Sequence, residues 1–134
     1  MSARTATLVS VFSCFVAATC HAQASNWFEV RGGAWSPSPD VTLHLQAEIE
    51  SAVAGLAGSR FERFRPWQEY KFQFQGQEND SGRFVSISAL CSVDESQDLT
   101  KRFLPVLDGG TCFFEVRYDP ESRRFYDLVV HGEA

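Results

Sequence analysis

The sequence predicts an α+β fold in which one N-terminal helix packs on a four- to five-stranded antiparallel sheet. Three observations carry this expectation. Apolar residues recur at spacings of three and four between Val41 and Leu56, the repeat of a helix with one buried face. After Gly58 the repeat shortens to two, in successive stretches separated by turn-forming residues, as half-buried strands require. Most connections between those stretches are short, which makes neighbours in the chain antiparallel partners in the sheet.

Residues 1–24 read as a cleavable export signal: Arg4 supplies a positive start, an apolar core follows, and Ala22-Gln23-Ala24 places small residues where a signal peptidase cleaves. The apolar run is shorter than the roughly 20 residues a membrane span needs. A periplasmic or secreted product without a membrane span is therefore expected, with residues 25–134 as a single domain. Within it, residues 26–30 alternate loosely as a short first strand, ended by Gly32-Gly33. Ser38 is placed to cap a helix whose first position is Pro39, where a missing N–H costs nothing. Val41, Leu45, Ile49, Ala52, Val53 and Leu56 form its apolar face, His44, Gln46, Glu48, Glu50 and Ser51 its wet one, and Gly58 its stop.

Tyr70, Phe72 and Phe74 then alternate with Lys71, Gln73 and Gln75, giving a strand with one aromatic and one polar side. A second strand over residues 83–93 turns Val85, Ile87, Ala89, Cys91 and Val93 inward. A third, over 111–118, turns Cys112, Phe114, Val116 and Tyr118 inward and Phe113, Glu115 and Arg117 outward. A fourth, over 124–131, is expected to bury Tyr126, Leu128 and Val130. Residues 92–110 form the longest connection in the sheet, with a helical turn expected over 98–103, and long loops on compact domains are common binding elements.

Cleavage removes Cys14 and Cys20 and leaves Cys91 and Cys112, whose default state in an oxidising compartment is a disulfide. The strand pattern puts both on the inward face where the second strand ends and the third begins, so the bridge would staple neighbouring strands. Loss of Arg4 also leaves 11 basic residues against 17 acidic ones, a net charge of −6, which disfavours nucleic acid as a partner. Arg60, Arg63 and Arg65 interleave with Phe61, Phe64 and Trp67; in so acidic a chain they read as a connection with buried aromatics and solvated cations.

One helix followed by an antiparallel meander, over about residues 39–132, resembles the cystatin-like group of folds, which includes cystatins and the proteins similar to nuclear transport factor 2. Cystatins plug cysteine proteases with a Gln-x-Val-x-Gly hairpin. The nearest text here, Gln73-Phe74-Gln75-Gly76, has another spacing and lies within an expected strand, so the resemblance implies a fold and not that inhibition.

No Ser-His-Asp order, phosphate-binding glycine loop or metal-ligand motif is present, so no catalytic residue, cofactor or metal is assigned. Asp127 and His131 share a face but stand roughly 13 Å apart along an extended strand, too far to bond. His44 and Glu48, four apart on a helix, read as a solvated pair. The candidate binding residues lie on the polar sheet face: Lys71, Gln73, Phe113, Glu115, Arg117, Asp127 and His131, with Ser86, Ser88 and Val129 among them. The leading expectation is an exported binding module engaging another exported protein or peptide, of an inhibitor or immunity-like kind. The alternative is a ligand-binding or hydrolytic pocket between helix and sheet, as in proteins similar to nuclear transport factor 2.

Overall fold

Ser38 and Gly58 bracket the helix as their chemistry requires. In the computed structural model, which describes residues 26–105 and 109–131, helix α1 spans Pro39–Ala57. The Ser38 hydroxyl accepts from the Val41 N–H at 3.3 Å, and Gly58 takes φ +59° at the other end. The export signal expected at residues 1–24 lies outside the described residues.

Thr42, Leu45, Ile49, Val53 and Ala57 form the buried stripe of α1. This stripe lies slightly off the expected one: Val41 is half-buried at its edge and Leu56 is 43% exposed. Burial of Thr42 is tolerated because its hydroxyl donates to the Pro39 carbonyl at 3.0 Å, so no polar group is stranded.

Among the described residues the sheet has five strands in chain order: β1 (Trp27–Glu29), β2 (Lys71–Asn79), β3 (Gly82–Leu90), β4 (Phe113–Asp119) and β5 (Arg124–Val130). From β2 onward every neighbouring pair is antiparallel. The first pair departs from the fully antiparallel expectation. β1 runs parallel to β2, with Trp27 opposite Phe72 and Glu29 opposite Phe74. The reason is the connection: α1 carries the chain back before β2 starts, so both strands set out in the same direction. β3 ends at Leu90, leaving Cys91 and Val93 beyond it, and β4 starts only at Phe113.

Leu45, Ile49 and Val53, each fully buried, meet Phe72, Phe74, Val85, Ile87, Phe114, Val116 and Tyr118 from the sheet. Each of these three helix residues stabilises the layer by roughly 1.5–3 kcal/mol. Trp27 stacks on Phe72 with ring centroids 4.3 Å apart, which anchors the short β1. Phe61 and Trp67, on two short 3-10 turns, and Phe64 between those turns pack against the same core; Trp67 lies 5.4 Å from Phe72 and 5.9 Å from Phe114. Arg63 and Arg65 stay in water, the latter paired with Glu69 at 2.9 Å. The interleaved segment is thus a core lid.

Pairing of β4 with β5 slips between Glu115 and Arg117, and Asp127 opposite the slip takes φ +53°. A bulge of this kind inserts one residue and reverses the in-out order beyond it. Leu128 and Val130 pack on the core as expected, but Phe125 joins them there and Tyr126, opposite Arg117, faces outward. The expected inward Tyr126 is therefore corrected.

Gly76 on β2 is required by close approach. The backbone of Trp35 bridges to it, and a Cβ at Gly76 would run into the Trp35 carbonyl oxygen and ring.

Residues 98–104, within the long connection, do not hang free. Gln73, fully buried on the face opposite α1, donates through Nε2 to the carbonyls of Leu99 at 2.9 Å and Arg102 at 2.7 Å, and its Oε1 accepts from the Leu104 N–H at 3.0 Å. Leu99 is buried beneath this strap. From the other side, the Arg31 N–H donates to the Thr100 carbonyl at 2.9 Å and its guanidinium pairs with Asp98 at 3.2 Å. Over 98–102 the chain makes turns rather than a helix. The disulfide Cys91–Cys112 closes the strap at its base, with Cα atoms 4.9 Å apart and the Cys91 N–H donating to the Cys112 carbonyl at 2.9 Å.

Two outcomes follow from this stitching. Replacing both Cys91 and Cys112 by alanine should lower unfolding free energy by about 3 kcal/mol in urea titration. Gln73→Ala strands two carbonyls and one N–H and should cost roughly 2–4 kcal/mol, with faster amide exchange at Leu104; unchanged exchange there would refute the clamp.

Candidate interaction surface

The strap divides the outer face of the sheet, the one turned away from α1. At the disulfide end Gln73, Ser88 and Leu90 are buried, and Phe113 is half-buried with Gly109 so close to its ring that a Cβ there would collide with it. Alternation correctly places these residues on the outer face. What it does not show is that the chain's own strap covers them. Gln73 is thus a structural clamp, and Phe113 packs beneath the end of the strap. Lys71 lies at the same end, two residues before Gln73.

Glu115, Arg117, Asp127 and His131 do come together, on the half left open. Ser86 faces Arg117 across β3 and β4, and Glu115 faces Val129 across β4 and β5. The Arg117 guanidinium lies 4.7 Å from the Phe84 ring centroid and 3.9 Å from the Asp127 carboxylate. The His131 Nε2 meets the Glu115 carboxylate at 3.0 Å, and its backbone N–H donates to the Phe113 carbonyl at 3.0 Å. The Arg117–Asp127 pair is solvent-exposed and worth no more than about 1 kcal/mol, and the His131–Glu115 contact is partly exposed. Their effect is order: they hold two basic and two acidic side chains at fixed places around Val129, which is 50% exposed.

Asp127 and His131 each take a different partner, so they do not form an acid/base pair. His44 on α1 lies with its ring 6.2 Å from that of Tyr118. Among the described residues no group of three His, Cys, Asp or Glu is placed to hold a metal, and no helix is long and apolar enough to cross a membrane.

Other polar groups serve the loops. Gln75 donates through Nε2 to the Arg31 carbonyl at 2.9 Å, continuing on β2 the role of Gln73. The Thr100 hydroxyl and N–H donate to Asp98 at 2.6 and 3.0 Å and hold its carboxyl below the usual carboxylate range. Burial raises the Tyr70 hydroxyl pKa; that hydroxyl accepts from the Arg65 N–H at 3.2 Å and donates to the Thr111 carbonyl beside Cys112.

Sequence reasoning missed Phe84 and Tyr126 as outer-face residues. Phe84 was legible, since it stands one place before inward Val85 and so must face outward. Tyr126 was hidden by the bulge. A shallow groove of about 400 Å³ runs past Ser86, Glu115, Arg117, Asp127 and Val129 and marks the open half as concave. No protein-family model, curated relative or solved structure matches the chain.

Proposed function

We propose that this chain is a small exported binding module, of an inhibitor or immunity-like kind, that engages another exported protein through the open half of its outer sheet face. The observation that carries this reading is the half-exposed Val129, set among Glu115, Arg117, Asp127 and His131 on and beside the paired strands β4 and β5. An apolar contact ringed by fixed charges of both signs is the pattern by which protein interfaces combine burial with register. The Cys91–Cys112 bridge suits an oxidising compartment, the one expected for an exported chain. The arrangement of one helix over a β2–β5 meander is also compatible with the cystatin-like resemblance.

A pocket between helix and sheet has no comparable support, because Leu45, Ile49 and Val53 pack there against aromatic and aliphatic side chains. The partner expected for the open face is a protein surface with an apolar contact for Val129 and an acidic group opposite Arg117.

Affinity capture from the exported fraction of the source cells tests this. Val129→Asp, or Arg117→Glu combined with Glu115→Lys, should weaken capture of the partner by about tenfold or more, whereas Leu43→Asp on the exposed side of α1 should leave it intact. Equal capture by all three proteins would remove the outer face from the interaction.

A further inference from the structure

A second groove, of about 620 Å³, lies on the other side of the molecule, between α1 and the turn that joins β4 to β5. Its floor is apolar: Ala52 and Leu56 from the helix and Phe125 from β5. Leu56 belongs by spacing to the helix's apolar set, yet it is 43% exposed here. The strand-side wall carries two consecutive arginines, Arg123 and Arg124, and the helix side carries Glu48.

Both arginines are unpaired among the described residues. In a chain with 17 acidic residues against 12 basic ones, adjacent cations without a carboxylate partner are out of keeping with the composition. Two acids that flank the turn are already committed: Asp119 accepts from the N–H groups of Glu121 and Ser122 at 2.9 and 3.3 Å and from the Ser122 hydroxyl at 2.9 Å, and Asp127 lies 3.9 Å from Arg117. Glu121 lines a neighbouring groove, which Arg124 and Phe125 also border, and forms no ion pair with Arg124. Arg123 also holds φ +57°, a conformation that glycine or asparagine takes with less strain. The turn therefore keeps a guanidinium where a smaller residue would fit the backbone better.

We propose that this groove binds the C-terminal end of a peptide, with the terminal carboxylate held by Arg123 and Arg124 and an apolar last side chain resting on Leu56 and Phe125. Two adjacent guanidinium forks match a carboxylate, and the bonds they make to it are charge-assisted. Only Ala52, Leu56 and Phe125 give the groove apolar side chains, and polar ones surround them, a lining that suits a short apolar side chain better than a long acyl chain. Glu48 across the groove gives the peptide's last amide N–H an acceptor, which an acyl chain could not use. The site is independent of the outer sheet face, and either can fail without the other.

The test is an NMR titration of the full exported chain with N-acetyl-Gly-Gly-Leu as the free acid, with the same peptide as its C-terminal amide, and with decanoate. The free acid should shift the amide resonances of Leu56, Arg123 and Phe125 and bind about tenfold more tightly than the amide. Arg124→Ser should erase that difference. Arg123→Gly should erase it too while keeping or raising Tm, since glycine relaxes the turn, so the loss cannot be assigned to unfolding. Equal binding of acid and amide, shifts located elsewhere, an unchanged preference in both variants, or tighter binding of decanoate than of the peptide would each overturn the proposal.

Discussion

The surface this protein offers depends on one buried carboxamide. Gln73 sits near the start of β2 with no access to water, and a polar group so placed must find its partners within the chain. It finds them in residues 99–104, with two donated bonds and one accepted bond. Those three bonds oblige a long irregular connection to lie flat on the sheet. Because Gln73 itself is cut off from water, loss of its partners leaves its carboxamide unsatisfied and is costly, so the strand specifies where the strap lies. The disulfide at the strap's base and the Arg31–Asp98 pair at its far side fix the same segment from two further directions.

What remains uncovered is determined by that arrangement. The open half of the outer face belongs to β3, β4 and β5, where Arg117 lies over Phe84 and faces Asp127, while His131 meets Glu115. None of these exposed contacts contributes much to stability. Together they reduce the freedom of long side chains before a partner arrives, which lowers the entropy lost on binding. The bulge at Asp127 contributes to the same surface, since it turns Tyr126 outward and also breaks the regularity of the β5 edge against strand-to-strand association.

Local signals in the sequence account for the parts that were legible. Ser38, Pro39 and Gly58 act within one helical turn of themselves, so the limits of α1 could be read without knowledge of the tertiary structure. The aromatic and aliphatic alternation of β2, β3 and β4 likewise gave the faces of Phe72, Ile87 and Val116, and with them the meeting of Cys91 and Cys112. Three features needed information from elsewhere in the chain. Alternation says that Gln73 and Phe113 face away from the helix, but not that residues 99–104 fold back over the first and Gly109 over the second. The spacing of β5 assumes a regular ladder, and Asp127 carries only a weak mark of its left-handed conformation. The parallel course of β1 follows from the helix placed between it and β2, a matter of connection rather than of any residue in β1.

The central claim is that Gln73 binds the strap and is not a solvated residue of an open face. Side-chain amide NMR of the native protein tests it directly. The two Gln73 Nε2 protons should exchange slowly with water and show nuclear Overhauser contacts to protons of Leu99 and Arg102. Rapid exchange at random-coil shifts, with no contact to the strap, would contradict it.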